Sequence, residues 1–203
     1  MRLRGLSHLA SRAPVLSLTP TLIVVTGAPG SGKTTVARPL AELLGLPLFA
    51  KDDVKEALWD HFGAGDRELF LAYGRASYPL LLGLARAALA AGRSAVVEAN
   101  FRPHMAVGDF EQILASTPCR VAQVLCIADP ETCLERYRER DRLGRRHAMH
   151  LVGGVETEAG LERELRDGVW DVPIPLDGAL FRLDTNAPVD VEALAREIAS
   201  VAG

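Results

Sequence analysis

The chain has 203 residues, 48% of them hydrophobic, with 26 acidic and 23 basic side chains and a formal net charge of −3. That is enough for one domain with a real core, and the near-average composition excludes a disordered chain, a collagen-like repeat and a coiled coil. The slightly acidic balance argues against a protein that coats nucleic acid, and three lysines stand against twenty arginines, with Lys33, Lys51 and Lys55 all in one short stretch.

Residues 1–20 hold Arg2, Arg4 and Arg12 and no acid. They read as a disordered or variable leader to a domain over 21–203, with an Arg-rich targeting peptide as the alternative. From Thr21 onward, short apolar runs alternate with amphipathic stretches, the pattern of a parallel α/β sheet. Leu22–Thr26 reads as a central strand buried on both faces. A helix is expected over 32–44, closed by Gly45, with Pro39 inside it kinking the helix or leaving a carbonyl unpaired. A second strand follows over Leu46–Ala50, then helices over 53–62 and 67–91 with a Gly63–Gly65 break between them.

Ser94–Glu98 reads as the third strand, 102–116 as a helix and Arg120–Ile127 as the fourth strand. An Arg-rich helix over 130–143 runs into an irregular polar stretch, 144–154. A helix over 157–169, a short strand at Leu180–Leu183 and an amphipathic helix over 189–201 complete the chain. Cys119, Cys126 and Cys133 have neither zinc-site nor disulfide spacing and read as reduced thiols of a cytoplasmic protein. No apolar run approaches the roughly 18 residues that span a bilayer, so no membrane partner is expected.

Gly27-Ala28-Pro29-Gly30-Ser31-Gly32-Lys33-Thr34 fits the phosphate-binding pattern G-x-x-x-x-G-K-[ST], placed between a strand and a helix as its mechanism requires. Glycines let successive N–H groups curl inward toward phosphate oxygens, and the helix N-terminus adds partial positive charge. In such a loop Lys33 bridges the outer phosphates and Thr34 holds Mg²⁺. The chain is therefore read as a nucleoside-triphosphate binder with ATP and Mg²⁺ as cofactors. Gly27 through Thr35 form the ATP-binding set. No N-K-x-D guanine motif is present, which disfavours a switch GTPase.

Lys51-Asp52-Asp53-Val54-Lys55 follows the second strand, at the sheet edge where ligands of such folds bind. A carboxylate there can accept the proton of an attacking hydroxyl, and an Asp pair can equally cap a helix. Asp52 is read as the base and Asp53 as the cap.

With G-A-P-G-S-G-K-T-T followed by K-D-D-V-K, the chain resembles P-loop kinases of the nucleoside-monophosphate-kinase-like branch. Within that branch it is similar to the group that includes polynucleotide 5′-hydroxyl kinase and chloramphenicol phosphotransferase. The resemblance implies a three-layer α/β fold: a five-stranded parallel sheet in order 2-3-1-4-5, helices on both faces, and a small lid over about 136–155. It implies Asp52 as general base and Lys55 in the place of an acceptor-side Arg. Lys lacks the bidentate fork of Arg, which argues against a polynucleotide phosphate as the acceptor's handle.

By the same resemblance Glu98 holds Mg²⁺ through water and Asn100 orients the substrate, the other reading of Glu98 being a cap for the next segment. Arg102 is placed near a substrate anion. Arg136 and Arg140, four apart on one helix face, are read as lid residues that neutralise charge on the transferred phosphoryl group. Arg138, Arg142, Arg145 and Arg146 have local acidic partners and read as a solvated face. His147 is read as a substrate or lid contact, and Thr185 and Asn186, after the last strand, as adenine contacts. The expected activity is ATP-dependent phosphotransfer to a hydroxyl of a small molecule by a monomer or homodimer. A nucleic-acid end and a non-catalytic accessory role are the alternatives.

Overall fold

The computed structural model describes residues 19–143, 147–152 and 156–202. All but the last two leader residues, and also Arg145 and Arg146, lie outside them. Five strands, β1 (Thr21–Gly27), β2 (Leu48–Ala50), β3 (Ala95–Glu98), β4 (Arg120–Ile127) and β5 (Ala179–Asp184), form one parallel sheet. Its order is β2-β3-β1-β4-β5, as the sequence predicts. The described helices are α1 (Lys33–Leu44), α2 (Lys51–Phe62), α3 (Arg67–Ala90), α4 (Pro103–Ser116), α5 (Pro130–Arg142), α6 (Ala148–Val152), α7 (Glu156–Arg166) and α8 (Val191–Ala202). None of the described helices is long and apolar enough to cross a membrane.

Strand alternation explains the layers. Leu22 and Val24 of β1 pack with Leu81, Ala85 and Leu89 of α3 and with Phe110 and Ile113 of α4. Ile23 and Val25, pointing the other way, pack with Val36 and Leu40 of α1 and Leu194 and Ile198 of α8. Both faces are thereby covered. A third cluster joins Ala28 of the phosphate loop to Cys133 and Leu134 of α5, Leu161 and Leu165 of α7, and Trp170. Buried Gln123 of β4 clamps the segment before β5, donating to the Ile174 carbonyl (3.1 Å) and accepting from the Ile174 N–H (2.8 Å).

The structure corrects several expectations. β2 starts at Leu48, because the Leu46 N–H turns back to the Ala41 carbonyl and closes α1. α1 itself reaches its Gly45 cap as expected, with Pro39 inside it. α2 begins directly after β2, with extended Ala50 as its N-cap, so Asp53 is not a cap; its carboxylate pairs with Arg38 at 2.7 Å. α7 stops at Arg166, where Gly168 (φ 64°) takes the left-handed turn and the Val169 N–H reaches back to Glu164. The stretch read as irregular contains α6, held because Met149 is fully buried against Trp59 and Tyr73.

Candidate active site

The phosphate loop is held from three sides. Gly27, Gly30 and Gly32 have φ of 152°, 86° and 80°, all in the region that favours glycine. A Cβ on Gly27 would run into the Cys126 carbonyl of β4, and one on Gly30 into the Cys133 backbone of α5. From β5, the Thr185 hydroxyl lies 2.7 Å from the Ser31 carbonyl oxygen and 2.9 Å from that of Ile127. Gly32 then caps α1, whose first turn has no acidic residue, so its N–H groups face the loop without a competing carboxylate.

Around this loop lies a cleft of about 1010 Å³. At the phosphate end, Lys33 Nζ arches to the Ala28 carbonyl (3.4 Å) and comes within 4.0 Å of Glu98. The Thr34 hydroxyl donates to the other Glu98 oxygen at 3.1 Å. One hydroxyl and one carboxylate, both hard oxygen donors, suit Mg²⁺, which keeps several waters and takes its remaining ligands from phosphate. No group of three or more His, Cys, Asp and Glu side chains fit for a metal occurs among the described residues, which offer this hydroxyl–carboxylate pair beside the loop.

Asp52, in the first turn of α2, lines the same cleft and is open to its water. Enclosure by the cleft walls pushes its carboxyl up, but the charges of Lys51, Lys33, His150 and Lys55 together prevail and hold it below its ordinary value. Burial drives Lys51 down against the opposing pull of Asp52 and Glu98. Lys51 Nζ donates to Asn100 Oδ1 at 3.2 Å and lies 5.0 Å from the centre of the Tyr78 ring. Tyr78 is pushed up to about 12, mainly by burial and then by Asp52. Lys55 is buried, with its Nζ 3.1 Å from the centre of the Phe70 ring, and Gly74 of α3 leaves room for it.

Lys33, Thr34, Thr35, Asp52, Lys55, Glu98, Asn100, Arg102, Arg140 and His147 of the residues singled out from sequence all line this cleft. Arg136 stands over the loop, donating to the Thr185 carbonyl at 2.8 Å and passing 3.8 Å from where a Gly32 Cβ would sit. Thr185 lies buried beneath the loop, and Asn186 accepts from the Asp129 N–H (3.0 Å), so both side chains brace the loop's surroundings from outside the cleft. Arg102 donates to both oxygens of Glu164 in α7 (2.6 and 2.7 Å). His147 and His150 reach α2, at Asp60 and Glu56, each at 3.0 Å. Because His147 Nδ1 accepts from the Met149 N–H, its Nε2 carries the proton toward Asp60. The sequence reading missed Arg38, Phe70, Tyr78, Phe101 and Met105 of the cleft wall. The signal for the α3 members was there, since Phe70, Gly74, Tyr78 and Leu82 recur every four residues on one helical face.

Glu98 supports a test of the metal pair. Burial raises its carboxyl above the ordinary value, with Lys33 and the Thr34 hydroxyl opposing and Asp52 and Asp53 reinforcing. A carboxyl raised in the folded state favours folding fully below its unfolded value, and that stability is lost as pH rises through the folded value. Wherever Glu98 is ionised, its charge is thus a net burden on the nucleotide-free protein. Glu98→Gln keeps the shape and the Thr34 hydrogen bond without the charge. We expect its nucleotide-free Tm at pH 7.5 to rise by about 2–4 °C, the scale of roughly 1 kcal/mol in a chain this long, while Mg²⁺-dependent strengthening of ATP binding is lost. Thermal melts and Mg²⁺ titrations check both halves, and a lowered Tm would show that the Lys33 pairing outweighs desolvation.

Comparison with known proteins agrees with this architecture. The chain is 30% identical over 171 residues to an uncharacterized protein of Mycobacterium tuberculosis (strain H37Rv), a match over 79% of this chain. The chain spans about a third (32%) of the length of that relative. Among solved structures, a candidate kinase from Chloroflexus aurantiacus J-10-fl is 31% identical with a TM-score of 0.83, over 90% of this chain and 98% of that one. APS kinase of M. tuberculosis, solved with AMPPNP and APS, shares the fold alone: 19% identity and TM-score 0.53, over 90% of this chain and 96% of that one. The sheet order and loop are those of a P-loop kinase fold. Residues 22–152 match the family model AAA_33, described as an AAA domain, and with that span covering most of the chain the protein belongs to this family.

Proposed function

We propose that the protein is an ATP- and Mg²⁺-dependent kinase that transfers the γ-phosphoryl group to a hydroxyl of a small molecule. The observation that carries this reading is the sharing of one cleft by the phosphate-loop side chains Lys33 and Thr34 and the carboxylate Asp52, with unfilled space beyond them. A hydrolase that only activates water needs no apolar wall such as Phe70, Leu71 and Leu82 beside Asp52.

In this reading the loop amides and Lys33 hold the triphosphate. Thr34, and Glu98 through water, would hold Mg²⁺, which when bound would supply charge neutralisation at the triphosphate. The acceptor oxygen forms a bond to the γ-phosphorus as the bond to the bridging β–γ oxygen breaks, and ADP leaves with that oxygen. Asp52 orients the hydroxyl and takes its proton. Held below its ordinary value, it stays ionised and ready at neutral pH. Since the transition state for phosphoryl transfer is loose, the proton leaves late, and orientation is the larger part of its work. In this reading Arg136, near Gly32, and Arg140, in the cleft lining, meet charge on the phosphoryl oxygens, with α5 and α6 as the closing element.

The nearer likeness, to the group of polynucleotide kinase and chloramphenicol phosphotransferase, is proposed on the same Asp52 segment. Within that group the acceptor is read as a small molecule. Lys55, in the acceptor-side position, is 5% exposed with its charge over Phe70, which suits an enclosed chamber better than a nucleic-acid strand. The test is acceptor-stimulated ADP release with γ-labelled ATP. A small alcohol should raise turnover at least tenfold over water and recover the label on its oxygen. If only a 5′-hydroxyl oligonucleotide does so, the polynucleotide reading replaces this one, and no stimulation by any acceptor favours an accessory ATPase.

A further inference from the structure

The acceptor end of the cleft has walls of two kinds. One is carbon: Phe70, Leu71, Tyr78 and Leu82 from α3 face the cleft with Phe101 and Met105 from the segment after β3. Tyr78 and Phe101 have ring centres 5.9 Å apart, and Leu71 and Met105, 45% and 67% exposed, form the rim of this wall. The other wall is polar, and several of its groups are engaged with one another. Lys51 donates to Asn100, Tyr78 lies 3.4 Å from Asn100 oxygens, Arg102 grips Glu164, and His150 meets Glu56.

A polyol needs a hydrogen-bond partner for nearly every hydroxyl taken out of water. Here the paired groups spend part of their hydrogen-bonding capacity on one another, and the carbon wall opposite offers almost none. A carbon body asks for no partner and covers the apolar wall. We infer that the acceptor is an amphipathic alcohol, in which a single reacting hydroxyl is carried on a compact apolar or aromatic body. The body lies against Phe70, Leu71, Tyr78 and Met105, and the hydroxyl reaches Asp52. This inference rests on the kinase reading above and narrows it.

The test ranks kcat/KM for two sets of alcohols with saturating ATP and Mg²⁺: 2-phenylethanol, 3-phenylpropan-1-ol and indole-3-ethanol against glycerol, D-ribose and D-gluconate. The aromatic set should lead by at least tenfold, and Leu71→Glu or Met105→Glu, both at the rim, should raise its KM roughly tenfold, the scale of one or two lost methylene contacts. A polyol that outranks the aromatic set overturns the inference and leaves the kinase reading standing. If no alcohol is phosphorylated, calorimetric titration of the ATP-loaded protein separates the two. Saturable binding of an aromatic alcohol without turnover sustains the subsite and overturns the kinase reading, whereas no binding overturns the subsite as well.

Discussion

Asp52→Asn is expected to lower kcat for phosphoryl transfer by about 10²–10⁴, the usual worth of a positioned base, while the ATP Kd stays within about twofold. The amide has the size of the carboxylate and keeps the first turn of α2 intact, but it cannot take the hydroxyl proton. ATP binding should hold because Asp52 is proposed to serve the acceptor, and removing its charge exposes the triphosphate to less repulsion. The substitution also reports on its surroundings. Asp52 raises Lys51, Glu98 and Tyr78, so in the variant Lys51 falls further and Glu98 returns toward an ordinary carboxyl. Its neighbour supplies the contrast. Asp53 makes a half-exposed ion pair with Arg38, of a kind worth about 0–1 kcal/mol, and Asp53→Asn should change the rate by no more than about threefold. Equal losses at the two positions, or unchanged turnover in Asp52→Asn, would remove the base assignment. Single-turnover kinetics and nucleotide titration on the two variants decide it.

That contrast between adjacent aspartates also shows where sequence stopped being informative. The phosphate loop was legible because its requirements are local: a strand, glycines at fixed offsets, Lys33 and Thr34, then a helix. β4 was legible to the residue, since Arg120–Ile127 is an unbroken β-rich run. The roles of Asp52 and Asp53 were separable only in part, because α2 starts on Ala50 with no side-chain cap and leaves no signature of where its first turn begins. The polar wall was not legible at all. Arg102 finds Glu164 across 62 residues, His147 finds Asp60 across 87 and His150 finds Glu56 across 94. Such pairings depend on the packing of α6 and α7 against the cleft, and no local pattern encodes them. The Arg-rich α5 divides accordingly. Arg142 pairs locally with Glu139, as spacing suggests, but Arg138 crosses to Glu158 of α7. Arg136 turns inward to the loop.

The glycines of the loop carry the second large effect. Gly30→Ala is expected to abolish measurable ATP binding and to destabilise the fold by about 3 kcal/mol or more, beyond the range of ordinary substitutions. Two causes add. The backbone at Gly30 has φ 86°, a conformation that side chains with a Cβ rarely adopt, which alone costs on the order of 1–3 kcal/mol. The added methyl would also lie 2.9 Å from both the Cα and the carbonyl carbon of Cys133, closer than packed atoms come, and its worst clash is with the Cys133 oxygen. Backbone cannot swing aside as a flexible side chain does, so α5 would have to move off the loop. Cys133 is fully buried there with Leu134 and Ala28, and the displacement would open that cluster and carry Arg136 away from Thr185. Gly45→Ala separates strain from collision: its φ is 64°, yet nothing lies within 4 Å of its Cβ position. It should cost about 1 kcal/mol, from strain alone, and leave ATP binding untouched. Chemical denaturation and nucleotide titration of the two variants measure the difference. Equal stability in both would mean that α5 does not press on the loop, and with it would go the placement of Arg136 over the loop.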